Sequence, residues 1–152
     1  MREHKAIDVA KWFILYNDMV VTDNGGDLIS NLKLQKLLYY AQGCFLAVKG
    51  RRLFADPLVA WQHGPVVADV YHYYKSNGAN GIQFDESDTI DMSEFDDEEN
   101  ELLKQVYEVF GQYSAWKLRN MTHQETPWKE TKNGEVISTE IIKEYFLKEY
   151  VA

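Results

Sequence analysis

The residues of this chain best suited to chemistry are four histidines, one cysteine and a pair of glutamines set in an apolar segment. His63 and His123 stand apart from the other two. Each precedes a proline and lies close to a tryptophan, in Trp61-Gln62-His63-Gly64-Pro65 and His123-Gln124-Glu125-Thr126-Pro127-Trp128. An imidazole just ahead of a helix start can act as a general base, as a metal ligand, or as an anchor for free backbone groups. A metal centre needs three or four converging ligands. Glu125 or Asp69 could join the two histidines only through tertiary proximity, and the chain has no H-E-x-x-H and no second cysteine. Cys44 with His63 would form a thiol–imidazole dyad. Cys44, however, stands in an apolar stretch, where a free thiol serves as a small hydrophobe. His4 falls in a terminal stretch expected to be flexible, and His72 lies among tyrosines. No Walker loop, dinucleotide fingerprint or nucleophile elbow is present, and Gly25-Gly26 lacks a phosphate-binding context. Two uses of His63 and His123 therefore remain open: a small hydrolase or metal-dependent enzyme, or a binding module without catalysis.

The element that must position these residues is LKLQKLLYYAQG, residues 32–43. Leu34, Leu37, Leu38, Ala41 and Phe45 share one helix face, with Leu32, Tyr39, Leu46, Gln35 and Gln42 on the other. A helix apolar on nearly all sides is surrounded by protein, so both amides need partners; a buried amide without one costs about 1–3 kcal/mol. Ser30 or Asn31 can cap this helix and Gly50 can close it. Before it, Ala6, Val9, Ala10, Phe13, Ile14 and Val20 or Val21 trace a first helix ending in Thr22-Asp23-Asn24-Gly25-Gly26. After it, Leu53-Phe54 and Leu58-Val59-Ala60 predict a small hairpin or two extended pieces. Pro65 suits the first position of a third helix, with Val67, Val70, Tyr71 and Tyr74 on one face and Asn77 to Gly81 as its stop.

Residues 82–95 read as an acidic connection with a short strand over 82–84. A fourth helix begins at Asp96 or Asp97 and buries Leu102, Leu103, Val106, Val109 and Phe110. Ser114 caps a fifth helix carrying Trp116, Leu118 and Met121. Pro127-Trp128 opens a further helical turn. Ser138 caps the last helix, with Ile137 and Ile142 as a hydrophobic staple and Ile141, Tyr145, Phe146 and Tyr150 continuing it. The pattern predicts a mainly α fold: one compact domain over residues 1–152, with about six helices and a little extended structure.

Composition narrows the partners. The net charge of −8 is local, because ten of the 24 acidic residues lie between Asp85 and Glu101; the rest of the chain holds 16 basic and 14 acidic residues. No basic stripe is visible, which argues against nucleic acid. No apolar run reaches the roughly 20 residues of a membrane span, and the amino terminus does not read as a secretory leader. The expected location is the cytoplasm. Ten tyrosines and four tryptophans suit either a polar-tipped core or a recognition surface. Oligomeric state stays open, since aromatic surface serves self-association equally well.

Three ordered segments, LKLQKLLYYAQG, LFADPLVAWQHGPVVADVYHYYK and MTHQETPWKE, together resemble the Panacea domain of SocA-like antitoxins and GepA-type phage-associated proteins. The matching positions are Leu34, Gln35, Lys36, Leu37, Tyr39, Tyr40, Ala41, Gln42, Trp61, His63, Gly64, Pro65, Val66, Tyr71, Thr122, His123, Pro127 and Trp128. The resemblance implies a helical antitoxin whose partner is a toxin encoded nearby. Neutralisation would proceed by direct contact or by delivering the toxin to a ClpXP-type protease, with no cofactor. Some members carry a DNA-binding segment before the shared domain; none is read here, which sets autorepression aside as an expectation. On this reading Trp61, His63, Tyr71, Tyr74, His123 and Trp128 form the partner-binding neighbourhood, supported by Gln35, Tyr39, Gln42, Gly64, Pro65, Thr122 and Pro127. The competing use of the same groups is to fix the loop before Pro65 against the loop before Pro127.

Overall fold

Helix α2 (Asn31–Lys49) is the element around which the others assemble. The Ser30 hydroxyl accepts from the Lys33 N–H at its start, and Gly50 ends it at φ 74°, a left-handed position that glycine takes without strain. The computed structural model describes residues 3–24 and 28–151. In it α2 packs against α1 (Ala6–Asn24), α3 (Ala68–Tyr73), α4 (Asp97–Phe110), α5 (Ala115–His123) and α7 (Thr139–Glu149). A single turn, α6 (Thr126–Lys129), links α5 to α7, and a two-stranded antiparallel sheet joins β1 (Val59–Trp61) to β2 (Gly64–Val66). The fold is mainly α, as the periodicity predicts.

One contiguous apolar cluster runs through all the long helices, with Phe13 from α1, Leu34, Leu37 and Phe45 from α2, Leu103 and Phe110 from α4, and Phe146 from α7. Caps set the helix starts. Asp96 and Glu99 form a reciprocal capping box at α4, and Ser114 and Ser138 cap α5 and α7. Ile137 and Ile142 are both buried, as a staple requires.

Several expectations change. Pro65 does not open a helix: it sits in β2 opposite Ala60, and α3 starts at Ala68. The Ala60 N–H and C=O both point away from β2, to Glu135 O (3.0 Å) and Gly134 N (2.6 Å), which makes Ala60–Pro65 a non-hydrogen-bonded pair. A proline fits such a position because no ladder bond needs its missing N–H. His4 is not in a loose end; it is buried, stacked on Phe95 at 4.1 Å and bonded to Glu99 at 3.0 Å. Residues 82–84 form no strand, although Ile82 N–H reaches Ile29 O at 2.8 Å. Val109 lies outside the buried stripe of α4, 50% exposed. Helix α1 continues through Asn24, and the Gly25-Gly26 breaker lies outside the described residues.

The α2–α7 contact depends on Gly43, where a Cβ would come within 2.4 Å of the Phe146 ring. Gly43→Ala would gain about 1 kcal/mol of helix propensity but overpack a core ring, a loss of about 1–3 kcal/mol. Urea denaturation should therefore show net destabilisation; a variant as stable as the parent would mean that α7 is free to shift.

Candidate functional site

Gln62 and His63 form the two-residue turn of the hairpin, and the turn is held from three sides. Gly64 has φ +112°, and a Cβ there would lie 2.8 Å from both Lys36 Cε and Thr122 Oγ1, so conformation and space both demand glycine. From α2, Gln35 Oε1 accepts the Val67 N–H at 2.9 Å while its Nε2 donates to Asn31 Oδ1 at 3.0 Å. Asn31 Nδ2 in turn donates to Tyr71 O at 3.0 Å. Lys36 Nζ donates to Pro65 O at 2.6 Å, the outward carbonyl of the non-hydrogen-bonded pair. From the α5–α6 side, Trp128 Nε1 donates to Trp61 O at 2.8 Å, and the His123 ring stacks on Trp128 at 4.0 Å. The outer edge of β1 is covered by residues 134–137, with Ile137 N–H on Leu58 O at 2.7 Å.

A second polar centre fixes the segment after His123. Glu125 is buried and accepts three phenols, from Tyr39 (2.9 Å), Tyr40 (3.0 Å) and Tyr150 (2.5 Å). Burial pushes its carboxyl up, and the three phenols pull it back. Gln42 does different work from that of Gln35. Its Nε2 donates to Phe54 O at 2.8 Å and its Oε1 accepts the Leu53 N–H at 2.8 Å, so it holds the segment before the hairpin.

The charge around the turn is one-sided. Lys36 is fully buried, and burial followed by the nearby Arg119 guanidinium brings its ammonium down to about 7. His123 is also pushed down, by burial first and then by Arg119; the Gln62 backbone opposes this, while Lys36 and His63 add to it. Its Nε2 is buried without a hydrogen-bond partner. Arg119 Nε donates to His63 Nδ1 at 3.1 Å. Arginine only donates, so the proton of the neutral His63 ring sits on Nε2. The Arg119 guanidinium also lies 4.4 Å from the Trp116 ring centre.

Trp61, His63 and Tyr71 meet at a groove of about 590 Å³, together with Asn31, Gln35, Lys36, Gln62 and Val66. Trp61 and Tyr71 stand edge to face at 5.1 Å. His123 and Trp128 lie behind the turn, and Tyr74 is 6% exposed and faces the core. Cys44 lines a different cleft with Val48, Leu102 and Val106, so it makes no dyad with His63. Burial and then Glu125 push its thiol up to about 12, far from a reactive thiolate. Among the described residues no three His, Cys, Asp or Glu side chains converge as metal ligands. Sequence reasoning gave no role to Lys36, Arg119 or the Glu125 clamp. A lysine in an otherwise apolar helix was the visible signal for the first; the other two depend on tertiary proximity.

The family model described as "Antitoxin SocA-like, Panacea domain" matches residues 34–129. That span runs from α2 through the hairpin to α6 and holds nearly every side chain just described. Antitoxin SocA of Caulobacter vibrioides (strain NA1000 / CB15N) is 36% identical over 115 residues, covering 70% of this chain and 61% of that relative. No solved structure matches the chain.

Lys36 makes the site measurable. Unfolded, it keeps its proton up to about 10.5; folded, only up to about 7. Between those values the unfolded chain binds the extra proton, so stability rises with pH, by at most about 1.4 kcal/mol per unit. Cys44, raised from 9.0 to about 12, works in the opposite sense above pH 9. The urea midpoint should thus climb from pH 7 to 8.5, and Lys36→Met should flatten that climb. An equal slope in the variant would assign the effect to another group.

Proposed function

The chain belongs to the SocA-like antitoxin family with a Panacea domain, and from that premise we propose that it is a single-domain, non-enzymatic antitoxin acting in the cytoplasm by direct contact with a toxin encoded beside it. The observation that carries this reading is the family match over residues 34–129, the span that builds the hairpin and both of its clamps. The site chemistry agrees with it. His63 is engaged by Arg119 and His123 by stacking on Trp128, and the side chains that shift His123 most, Arg119, Lys36 and His63, are basic. A histidine general base is commonly supported by a carboxylate partner, and none is among the groups that shift His123. The residues that sequence reasoning groups as partner-binding then divide by role. Trp61, His63 and Tyr71 offer the contact surface, His123 and Trp128 hold it from behind, and Tyr74 belongs to the core.

Rigid placement of aromatic anchors suits recognition, since interface energy concentrates in a few such residues and falls less when they are already ordered. Because the match covers 61% of the relative's length, what the whole relative does is not carried over to this chain. Coexpression with the neighbouring reading frame is the direct test. The account expects the neighbour to be toxic alone, growth to be rescued by this chain, and the two to co-purify. A toxic neighbour that is neither rescued nor bound would remove the reading. The toxin level separates the two modes: unchanged under masking, reduced in a ClpXP-dependent manner under delivery to the protease.

A further inference from the structure

The groove beside the hairpin turn has a charge character of its own. The chain as a whole carries a net charge of −8, yet no Asp or Glu lines this groove. Asp69 and Glu135 stand on neighbouring segments, outside its lining. Under its wall lies Lys36, fully buried, with the Pro65 carbonyl as its hydrogen-bond acceptor. At its rim His63 is bonded to Arg119, whose Nη1 holds Asn120 Oδ1 at 3.0 Å and whose guanidinium lies over Trp116. The ion pairs among the described residues lie elsewhere, on His4, Lys11, Lys49, Arg51 and Arg52, so neither Lys36 nor Arg119 has a carboxylate partner. The Arg119 guanidinium, half-buried and without counter-charge, favours an incoming anion, because its field is only partly screened there. The groove floor is aromatic, from Trp61 and Tyr71.

We propose that this groove receives an acidic, extended segment of a protein partner, with a carboxylate set against Arg119 and the outward Nε2–H of His63 and an apolar neighbour laid on Trp61 and Tyr71. The partner is the toxin, so the inference rests on the antitoxin reading. Charge complementarity selects the acid, and the single rim guanidinium selects peptide over nucleic acid. A strand of phosphates calls for a row of exposed cations along its path, whereas this groove is lined by amide and aromatic groups, with one arginine beyond its lining, bonded to His63.

The test measures binding of the full chain to the purified product of the neighbouring reading frame by calorimetry, at low and at moderate salt. Arg119→Glu should weaken binding about 30-fold or more, the range for truncating or reversing a desolvated interfacial charge, and added salt should weaken the parent complex but not the variant further. Trp116→Ala, at a 56% exposed position that the core does not need, should weaken it severalfold and carries the test should Arg119→Glu fold poorly. Val109→Glu, in the cleft lined by Cys44, should leave binding within twofold. A complex indifferent to Arg119→Glu and Trp116→Ala, or abolished by Val109→Glu alone, overturns the groove while leaving the antitoxin reading intact. A complex that dissolves on nuclease treatment overturns the peptide as occupant. Absence of any complex with the parent chain removes both the antitoxin reading and the occupant.

Discussion

A helix buried on nearly all sides cannot leave its polar side chains unpaired, and α2 carries six of them: Asn31, Gln35, Lys36, Tyr39, Tyr40 and Gln42. Each would cost about 1–3 kcal/mol if unsatisfied. They are satisfied by three stretches of chain outside the helix: residues 65–71 through Pro65, Val67 and Tyr71, Glu125 twice, and Leu53-Phe54. The consequence reaches beyond the helix. Non-helical segments otherwise have weak local reasons to adopt one conformation, and here their backbone groups are claimed from inside. The hairpin, the loop before it and the loop after His123 are all anchored on one strut.

That arrangement explains how a small helical protein can present a fixed aromatic surface without a large sheet. The hairpin is two strands of three residues, too short for independent stability in water. It persists because α2 grips β2, the 134–137 segment covers β1, and Trp128 binds the turn from behind. His123 and Trp128 thus serve Trp61 and His63 by holding them. The electrostatic cost falls on Lys36, whose ammonium burial brings down to about 7 and which has no carboxylate partner.

Much of the fold could be read in the sequence, for reasons that are local. Ser30, Gly50, Ser114 and Ser138 mark helix ends through backbone groups only a few residues away, and the Ile137–Ile142 staple spans a single turn. The demand of Gln35 and Gln42 for partners was legible too, although their identity was not; Gln42 serves residues 53–54, not a histidine loop. What local pattern could not supply was tertiary. Pro65 is compatible with a helix start and with a non-hydrogen-bonded strand pair, since neither needs its missing N–H, and the pairing of Ala60 with residues 134–135 decides between them. His4 looked free because Glu99 and Phe95 lie some ninety residues away. Arg119 and Glu125 acquire meaning only when α5 and α6 pack beside α2.

The central claim is that side chains of α2 hold the hairpin as firmly as the core is held. Native-state hydrogen exchange at the Val67 amide, which donates to the Gln35 side chain, tests it most directly. The account predicts that this amide exchanges only through global unfolding, with the same opening free energy as the core amides of α2. Exchange through a local opening well below that free energy would contradict it, and would make the hairpin an ordinary mobile loop.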